Sequence, residues 1–229
     1  MADGPLTRRD LLKFAGVVGA ATAAAPAAPA AAQSRRVKPA REPLRALAVH
    51  EADLLDRIAE LLIPSDEHGP GATEAMAVRY IDRALAGALQ DQREAYRVGL
   101  TALERYARET RGAPFLQLTE TRQISLLIDV ESGTATGANT GFAGSSAQFF
   151  ALVRGHVMQG TFGDPHYGGN EGFVGWDLLG FPGVRTVVTP AEQKLLSPPT
   201  RVRRSAYENP MFNKAIVDMK PAGSDRDAD

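Results

Sequence analysis

Apolar residues recur at helical spacing in five segments of the chain. In the first segment, Leu54, Leu55, Ile58, Leu61 and Leu62 occupy positions i, i+1, i+4, i+7 and i+8, which places all five on one helix face. The same periodicity continues at intervals up to residue 159. The pattern predicts helices at about residues 51–62, 73–85, 92–110, 119–131 and 146–159.

Helix-ending and helix-capping residues support these boundaries. Pro64 ends the first helix, Gly112 suits the position just after the third, and Thr119 is a good N-cap for the fourth, with Leu118 placed to pack against its first turns. The acidic residues of the 63–72 connector could cap the second helix. Beyond the first helix, the residues predicted to face inward are Met76, Ala77, Tyr80, Ile81, Ala84, Leu85, Tyr96, Leu100, Leu103, Tyr106, Ala107, Ile124, Leu127, Ile128, Phe149, Phe150, Leu152, Val153 and Val157.

The segment at residues 156–183 breaks this periodicity. It holds eight of the 22 glycines, with five aromatics between them, and Trp176 is the only tryptophan of the chain. Glycine permits unusual backbone angles, whereas large aromatic side chains gain most when they are buried. The combination predicts a long ordered loop that docks on the rest of the domain.

The remaining segments add short or irregular structure. Residues 132–145 are predicted to form a mobile internal loop. The capping box and the proline at Thr189–Glu192 predict a short helix that extends to about Leu196. Residues 218–229 are expected to be disordered. No segment alternates apolar and polar residues as a strand would. We therefore expect an all-α fold, a compact bundle of about five to six helices in a single domain at residues 44–217.

The first 32 residues are typical of an export signal. Arg8 and Arg9 precede a weakly apolar run of about 12 residues, and Ala30–Ala32 offer a small-residue cleavage site. A membrane anchor or a disordered tail is the alternative, although a span needs about 20 apolar residues. The arginine pair makes this a twin-arginine signal, so the twin-arginine translocase, which carries folded proteins, is an expected partner. Residues 33–43 would form an extended leader.

Composition excludes several classes of function. The 26 basic and 27 acidic residues nearly cancel, so no basic field is available to bind nucleic acid. The chain has no cysteine, which removes disulfides, thiolate metal sites and covalent haem attachment. It also lacks the glycine-rich motifs of nucleotide sites. An exported chain without a visible cofactor motif favours a partner that is acquired before export.

Five side chains in or near the glycine-rich segment could instead form a metal or catalytic site. They are His156, Asp164, His166, Glu171 and Asp177. None of them has a recognised ligand spacing, and the simpler interpretation is that the polar side chains bind backbone amides in turns. A free-standing exported metal- or ligand-binding enzyme that uses residues 156–177 stays an alternative. The residues supply no catalytic set.

Two groups of residues match the motifs of a known family. The first group is 62–66 (LIPSD), 69–72 (GPGA) and 80–82 (YID). The second, more specific group is 160–165 (GTFGDP), 167–170 (YGGN), 175–176 (GW) and 179–183 (LGFPG). Together they resemble the two motifs of the gluconate 2-dehydrogenase subunit 3 family. With the leader, the resemblance extends over most of residues 6–183.

The resemblance implies a small, non-catalytic subunit of a membrane-associated dehydrogenase. In such complexes a large subunit with FAD oxidises a sugar, sugar acid or polyol, and a cytochrome c subunit with haem c takes the electrons. The small subunit assists maturation and export of the large one, so the expected location is the periplasm, peripheral to the inner membrane. The family offers no catalytic, cofactor-binding or metal-binding residue to transfer. The candidates for a partner interface are Phe162, Asp164, Tyr167, Asn170, Trp176 and Phe181.

Overall fold

The computed structural model describes residues 41–136, 141–142, 144–185, 187–194 and 200–209. Within these ranges the chain is helical and forms no β-strand, only one isolated bridge between Asp66 and Gly69. The all-α prediction is confirmed. The α-helices are α1 Val49–Leu62, α2 Ala77–Leu85, α3 Arg93–Arg111, α4 Glu120–Glu131, α5 Ser146–Phe162, α6 Val174–Leu179 and α7 Pro190–Gln193. Short 3₁₀ turns occur at Gln90–Gln92, Phe115–Gln117, Pro165–Tyr167, Glu171–Phe173 and Ala206–Glu208.

Helix α5 lies at the centre of the bundle and contacts α1, α2, α3 and α4. Its Phe149, Phe150, Val153 and Val157 are buried in the main core. At Gly160 the helix passes so close to α2 that an added Cβ would lie 2.7 Å from the carbonyl oxygen of Ala77. A glycine is therefore needed where α5 crosses α2.

Four of the five long helices begin within about two residues of the predicted positions, and α2 does not. The sequence predicted a start at residue 73, but the helix begins at Ala77 and Met76 has a left-handed φ of 57°. The backbone N–H of Ala72 donates to the carbonyl of Ile63, and that of Gly71 donates to the Glu74 carboxylate, 2.9 Å away in each case. These bonds hold residues 72–76 in turns, so the predicted start was wrong.

The inward face of α4 also differs from the prediction. Ile128 was expected to face inward but is 54% exposed, whereas Gln123 is buried together with Leu126, Leu127 and Val130. The Gln123 amide accepts from Arg57 Nε at 2.7 Å and donates to the carbonyl oxygen of Phe115 at 2.9 Å. Satisfied hydrogen bonds let this polar side chain occupy a core position, and the helix is rotated accordingly.

A buried carboxylate of α2 binds the chain that precedes α1. Asp82, 4% exposed, accepts hydrogen bonds from the backbone N–H groups of Arg45, Ala46 and Leu47 at 2.8–2.9 Å. A charged acceptor with three donors is a strong, charge-assisted arrangement. Asp82 therefore fixes the entry of the chain into the bundle.

Other predicted boundaries are met or lie outside the described residues. The short helix after Thr189 is present as α7, and Gly112 ends α3 with a φ of 77°. Thr119 precedes α4 as its N-cap residue, although its side chain makes no capping hydrogen bond. Residues 1–40, 137–140, 143, 186, 195–199 and 210–229 are not described. The predicted export signal, most of the leader, part of the 132–145 loop and the terminal tail lie in these residues.

Candidate functional site

The glycine-rich segment is ordered, but it is built from helical turns rather than from open loop. Residues 156–162 belong to α5, and two 3₁₀ turns and α6 follow before residue 180. Asn170 and Phe173 adopt left-handed backbone angles, with φ of 44° and 64°. These residues reverse the chain between successive turns, which is why the segment shows no helical period in the sequence although much of it is helical.

Asn170 joins the end of α5 to the start of α6. Its side chain is 0% exposed, and its backbone N–H donates to the carbonyl oxygen of Gly160 at 2.7 Å. The side-chain amide donates to the carbonyl of Gly163 and accepts from the N–H of Gly175, at 2.8 Å in each case. Asn170 is thus a buried polar residue whose role is to bind backbone groups.

The backbone around Asn170 is packed too closely for a side chain at the neighbouring glycine. A Cβ added at Gly169 would overlap the carbonyl of Gly160 within α5. Only glycine allows this approach of one backbone to another. Contact with α5 therefore explains Gly169 and Asn170 of the second motif.

Trp176 forms the centre of a small aromatic cluster next to Asn170. Its indole N–H donates to the carbonyl oxygen of Phe162 at 2.9 Å, and its side chain is 7% exposed. The rings of Phe173 and Phe181 lie 5.2 Å and 4.9 Å from it, centroid to centroid. This cluster is separate from the main core.

Asp164 binds the C-terminal part of the described chain. Its carboxylate accepts hydrogen bonds from the Ser205 hydroxyl at 2.6 Å, the N–H of Ala206 at 2.8 Å and the N–H of His166 at 2.9 Å. The His166 ring stacks on the ring of Tyr207 at 3.9 Å. Residues beyond the second motif are thus fixed to it, a contact that nothing in the sequence predicted.

The two motifs, although about 90 residues apart in sequence, form one structural unit. Arg79 donates to the carbonyl oxygen of Gly168 at 2.6 Å and forms ion pairs with Glu171 and with Glu42. The N–H of Glu171 also donates to the carbonyl of Ala75 at 3.1 Å. Sequence reasoning missed Arg79, because an arginine on a half-buried helix position carries no signal of what it contacts.

His156 is buried on the side of α5 that faces Tyr96 of α3. A 2.8 Å hydrogen bond joins its Nδ1 to the hydroxyl of Tyr96, and the two rings are parallel at 5.8 Å. Burial lowers the pKa of His156 and raises that of Tyr96. A neutral imidazole is therefore favoured at neutral pH.

The structure does not assemble the five residues of the metal-site alternative. His156 binds Tyr96, Glu171 pairs with Arg79, and Asp177 pairs with Arg203 at 2.6 Å. In the part of the chain that the structure describes, no three His, Cys, Asp or Glu side chains are grouped so that they could hold a metal ion. Of the side chains expected to bind backbone amides in the turns, Asp164 accepts from the N–H of His166 and Asn170 from that of Gly175, whereas the Glu171 carboxylate pairs with the Arg79 side chain.

The six interface candidates divide by exposure. Asn170 and Trp176 are buried, and Phe162 and Asp164 are half-buried. Tyr167 and Phe181 are exposed at 52% and 39%, and the Tyr167 hydroxyl is hydrogen-bonded to that of Tyr207. Their role at an interface stays a prediction, and the two exposed side chains are the ones that a partner could contact without rearrangement.

A comparison with protein-family models shows to which family the chain belongs. The model described as gluconate 2-dehydrogenase subunit 3 matches residues 49–183, more than half of the chain. The chain belongs to the gluconate 2-dehydrogenase subunit 3 family. The matched range starts at α1 and ends after the second motif, so it contains both motifs and the aromatic cluster. Membership in this family confirms the resemblance inferred from the motifs.

A second family model matches the start of the chain. The TAT (twin-arginine translocation) pathway signal sequence matches residues 5–25, a range that includes Arg8 and Arg9. This match supports export to the periplasm. Neither the curated proteins nor the solved structures gave a match to this subunit 3 family member. Among its described residues, no helix has both the length and the apolar character that a membrane crossing requires.

Proposed function

We propose that this chain is the small, non-catalytic subunit of a three-subunit FAD-dependent dehydrogenase that oxidises gluconate, a sugar or a polyol. The observation that carries the proposal is the presence of two features on one chain: the subunit 3 family match over residues 49–183 and the twin-arginine signal over residues 5–25. The chain would accompany the large flavoprotein subunit through the twin-arginine pathway and assist its maturation.

The contacts of the motif side chains support a structural role for them. The Asn170 side-chain amide forms hydrogen bonds with backbone groups of the same chain. The Asp164 carboxylate accepts hydrogen bonds from Ser205, Ala206 and His166. This carboxylate thus accepts three hydrogen bonds within the chain, two at Oδ1 and one at Oδ2, which fix its orientation towards residues 205 and 206.

The cofactors of the proposed complex are assigned to the other two subunits. FAD would be bound by the large subunit, and haem c by a cytochrome c subunit. Covalent haem attachment needs cysteine, and this chain has none. The complex would lie in the periplasm, peripheral to the inner membrane.

The test is coexpression of the full-length chain with an FAD-binding large dehydrogenase subunit, followed by purification through a tag on the small chain. We expect one flavin per small chain by visible absorbance, with dye reduction by gluconate, sugars or polyols in the complex alone. Substrate oxidation by the purified small chain would contradict the proposal, and so would a failure of the flavoprotein to copurify.

A further inference from the structure

Three apolar side chains protrude from the end of α6, and we call them the α6 ridge. They are Leu178, Leu179 and Phe181, with exposures of 36%, 64% and 39%. They follow the buried Trp176 in the chain, separated from it by Asp177. Single exposed apolar residues are common on protein surfaces, but a contiguous group of them marks an interaction site.

The α6 ridge is exposed but held in place. The N–H of Phe181 donates to the carbonyl oxygen of Trp176 at 2.8 Å, and the Phe181 ring packs against the indole in a T-shaped arrangement. On the opposite side, Leu178 lies against the Asp66–Gly69 turn, where a Cβ at Gly69 would be 2.8 Å from its Cδ2. A surface that is already ordered loses little conformational entropy when it binds, so it suits a stable contact.

One margin of the ridge is basic. A Cβ added at Gly180 would lie 3.4 Å from Nη2 of Arg201, which places that guanidinium beside the ridge. Arg201 and Arg203 approach the same carboxylate, that of Asp177, at 3.8 Å and 2.6 Å, and their side chains are 53% and 63% exposed. Two guanidiniums share one carboxylate, so this margin carries a net positive charge. A partner that covers it needs acidic groups there.

We propose that the α6 ridge is the hydrophobic anchor by which this chain docks on the FAD-binding large subunit. The complementary surface is an apolar groove with acidic residues along the edge that meets Arg201 and Arg203. The inference rests on the proposed function, since it presumes that the partner is a dehydrogenase subunit. The ridge lies inside the range that matches the subunit 3 family, yet its exposed atoms contribute nothing to the core of this chain.

A lipid surface fits the ridge less well. Peripheral helices that bind membranes present a long apolar face with many basic residues on the other side. Helix α6 has six residues, and the ridge offers three side chains with two arginines on one margin. A small apolar centre with a charged rim is the anatomy of a protein–protein interface.

The test measures the affinity of the full-length chain for the coexpressed FAD-binding large subunit after the two are separated and recombined. Leu179→Ser should weaken binding at least about 25-fold, as expected for an interface hot spot of about 2 kcal/mol. Ile128→Ser is the matched control, because Ile128 is 54% exposed on α4, away from the ridge. It should leave the affinity unchanged. Circular dichroism would verify that both variants are folded.

Charge reversal tests the acidic groove edge separately. Arg201→Glu should weaken binding about tenfold and reduce its dependence on salt, because it places like charges opposite each other. Arg122→Glu, on the exposed side of α4, is the control and should change neither.

The outcomes separate the docking proposal from the proposed function. If the wild-type chain and the Leu179→Ser variant bind the flavoprotein equally, the ridge is not the anchor, while the subunit role stands. If the wild-type chain does not bind it at all, both proposals fail. Two further results would overturn the docking proposal. One is ridge-dependent binding to vesicles of phosphatidylethanolamine and phosphatidylglycerol in place of the flavoprotein. The other is a dimer of this chain that Leu179→Ser dissociates.

Discussion

The indole N–H of Trp176 donates a hydrogen bond to the carbonyl oxygen of Phe162, 2.9 Å away. Phe162 is the last residue of α5, and the last carbonyls of a helix have no partner inside it. The tryptophan side chain therefore satisfies a helix end and connects α5 to α6. This contact gives the only tryptophan of the chain a structural role that can be tested.

Two substitutions of Trp176 should destabilise the folded chain to different extents. Trp176→Phe loses the hydrogen bond but keeps an aromatic ring, and should cost about 1 kcal/mol. Trp176→Ala also loses the ring packing and should cost about 3–5 kcal/mol. Urea unfolding of the mature chain, followed by circular dichroism, measures both. An alanine variant as stable as the wild type, yet unable to copurify with the large subunit, would instead assign Trp176 to the interface.

Substitutions of Asn170 should separate backbone strain from hydrogen bonding. Asn170→Gly keeps the left-handed backbone accessible but leaves the groups of Gly163 and Gly175 unpaired, at about 1–3 kcal/mol. Asn170→Ala loses the same bonds and adds about 1 kcal/mol or more, because alanine disfavours a φ of 44°. Chemical denaturation of both variants gives the comparison. An alanine variant that is more stable than the glycine variant would contradict this account.

The buried His156 should make the fold sensitive to acid. Burial lowers its pKa in the folded state, so below the unfolded value of about 6.5 the unfolded chain binds a proton that the folded chain resists. This contribution to stability is present at higher pH and is lost as pH falls from about 7.5 to about 5.5. The measurement is the free energy of unfolding at both pH values.

Two histidine variants isolate the effect. His156→Gln should remove this part of the pH dependence, whereas His68→Gln should keep it, because the His68 side chain is 79% exposed. Identical pH profiles for the wild type and His156→Gln would show that another group is responsible.

Export of the large subunit should depend on the arginine pair of this chain. Arg8→Lys with Arg9→Lys keeps the charge but loses the planar guanidinium groups, so a receptor that recognises arginine geometry should reject it. Both subunits should then accumulate in the cytoplasm. Cell fractionation, with dehydrogenase activity assayed in periplasmic and membrane fractions, is the measurement. Normal activity outside the cytoplasm in the double-lysine strain would mean that the large subunit travels independently.

Local sequence pattern was sufficient for the long helices and for the family. Tyr96, Leu100 and Leu103 follow the helical period, and α3 begins and ends within one residue of its prediction. The helical period depends only on neighbours three or four positions apart, so it can be read without knowledge of the rest of the chain. The glycine and aromatic residues of the second motif likewise identified the family before any contact was known.

Tertiary structure decided what the motif residues contact. Arg79 reaches Gly168 across 89 positions, and Asp164 reaches Ser205 across 41. The inward position of Gln123 depends on Arg57, which lies on another helix. Such contacts arise only when the packed helices bring distant backbone groups together, and a buried polar side chain is stable only where those partners lie. The sequence by itself determined the family and the five long helices apart from the start of α2, whereas packing determined that Trp176 is buried and that Leu179 is exposed.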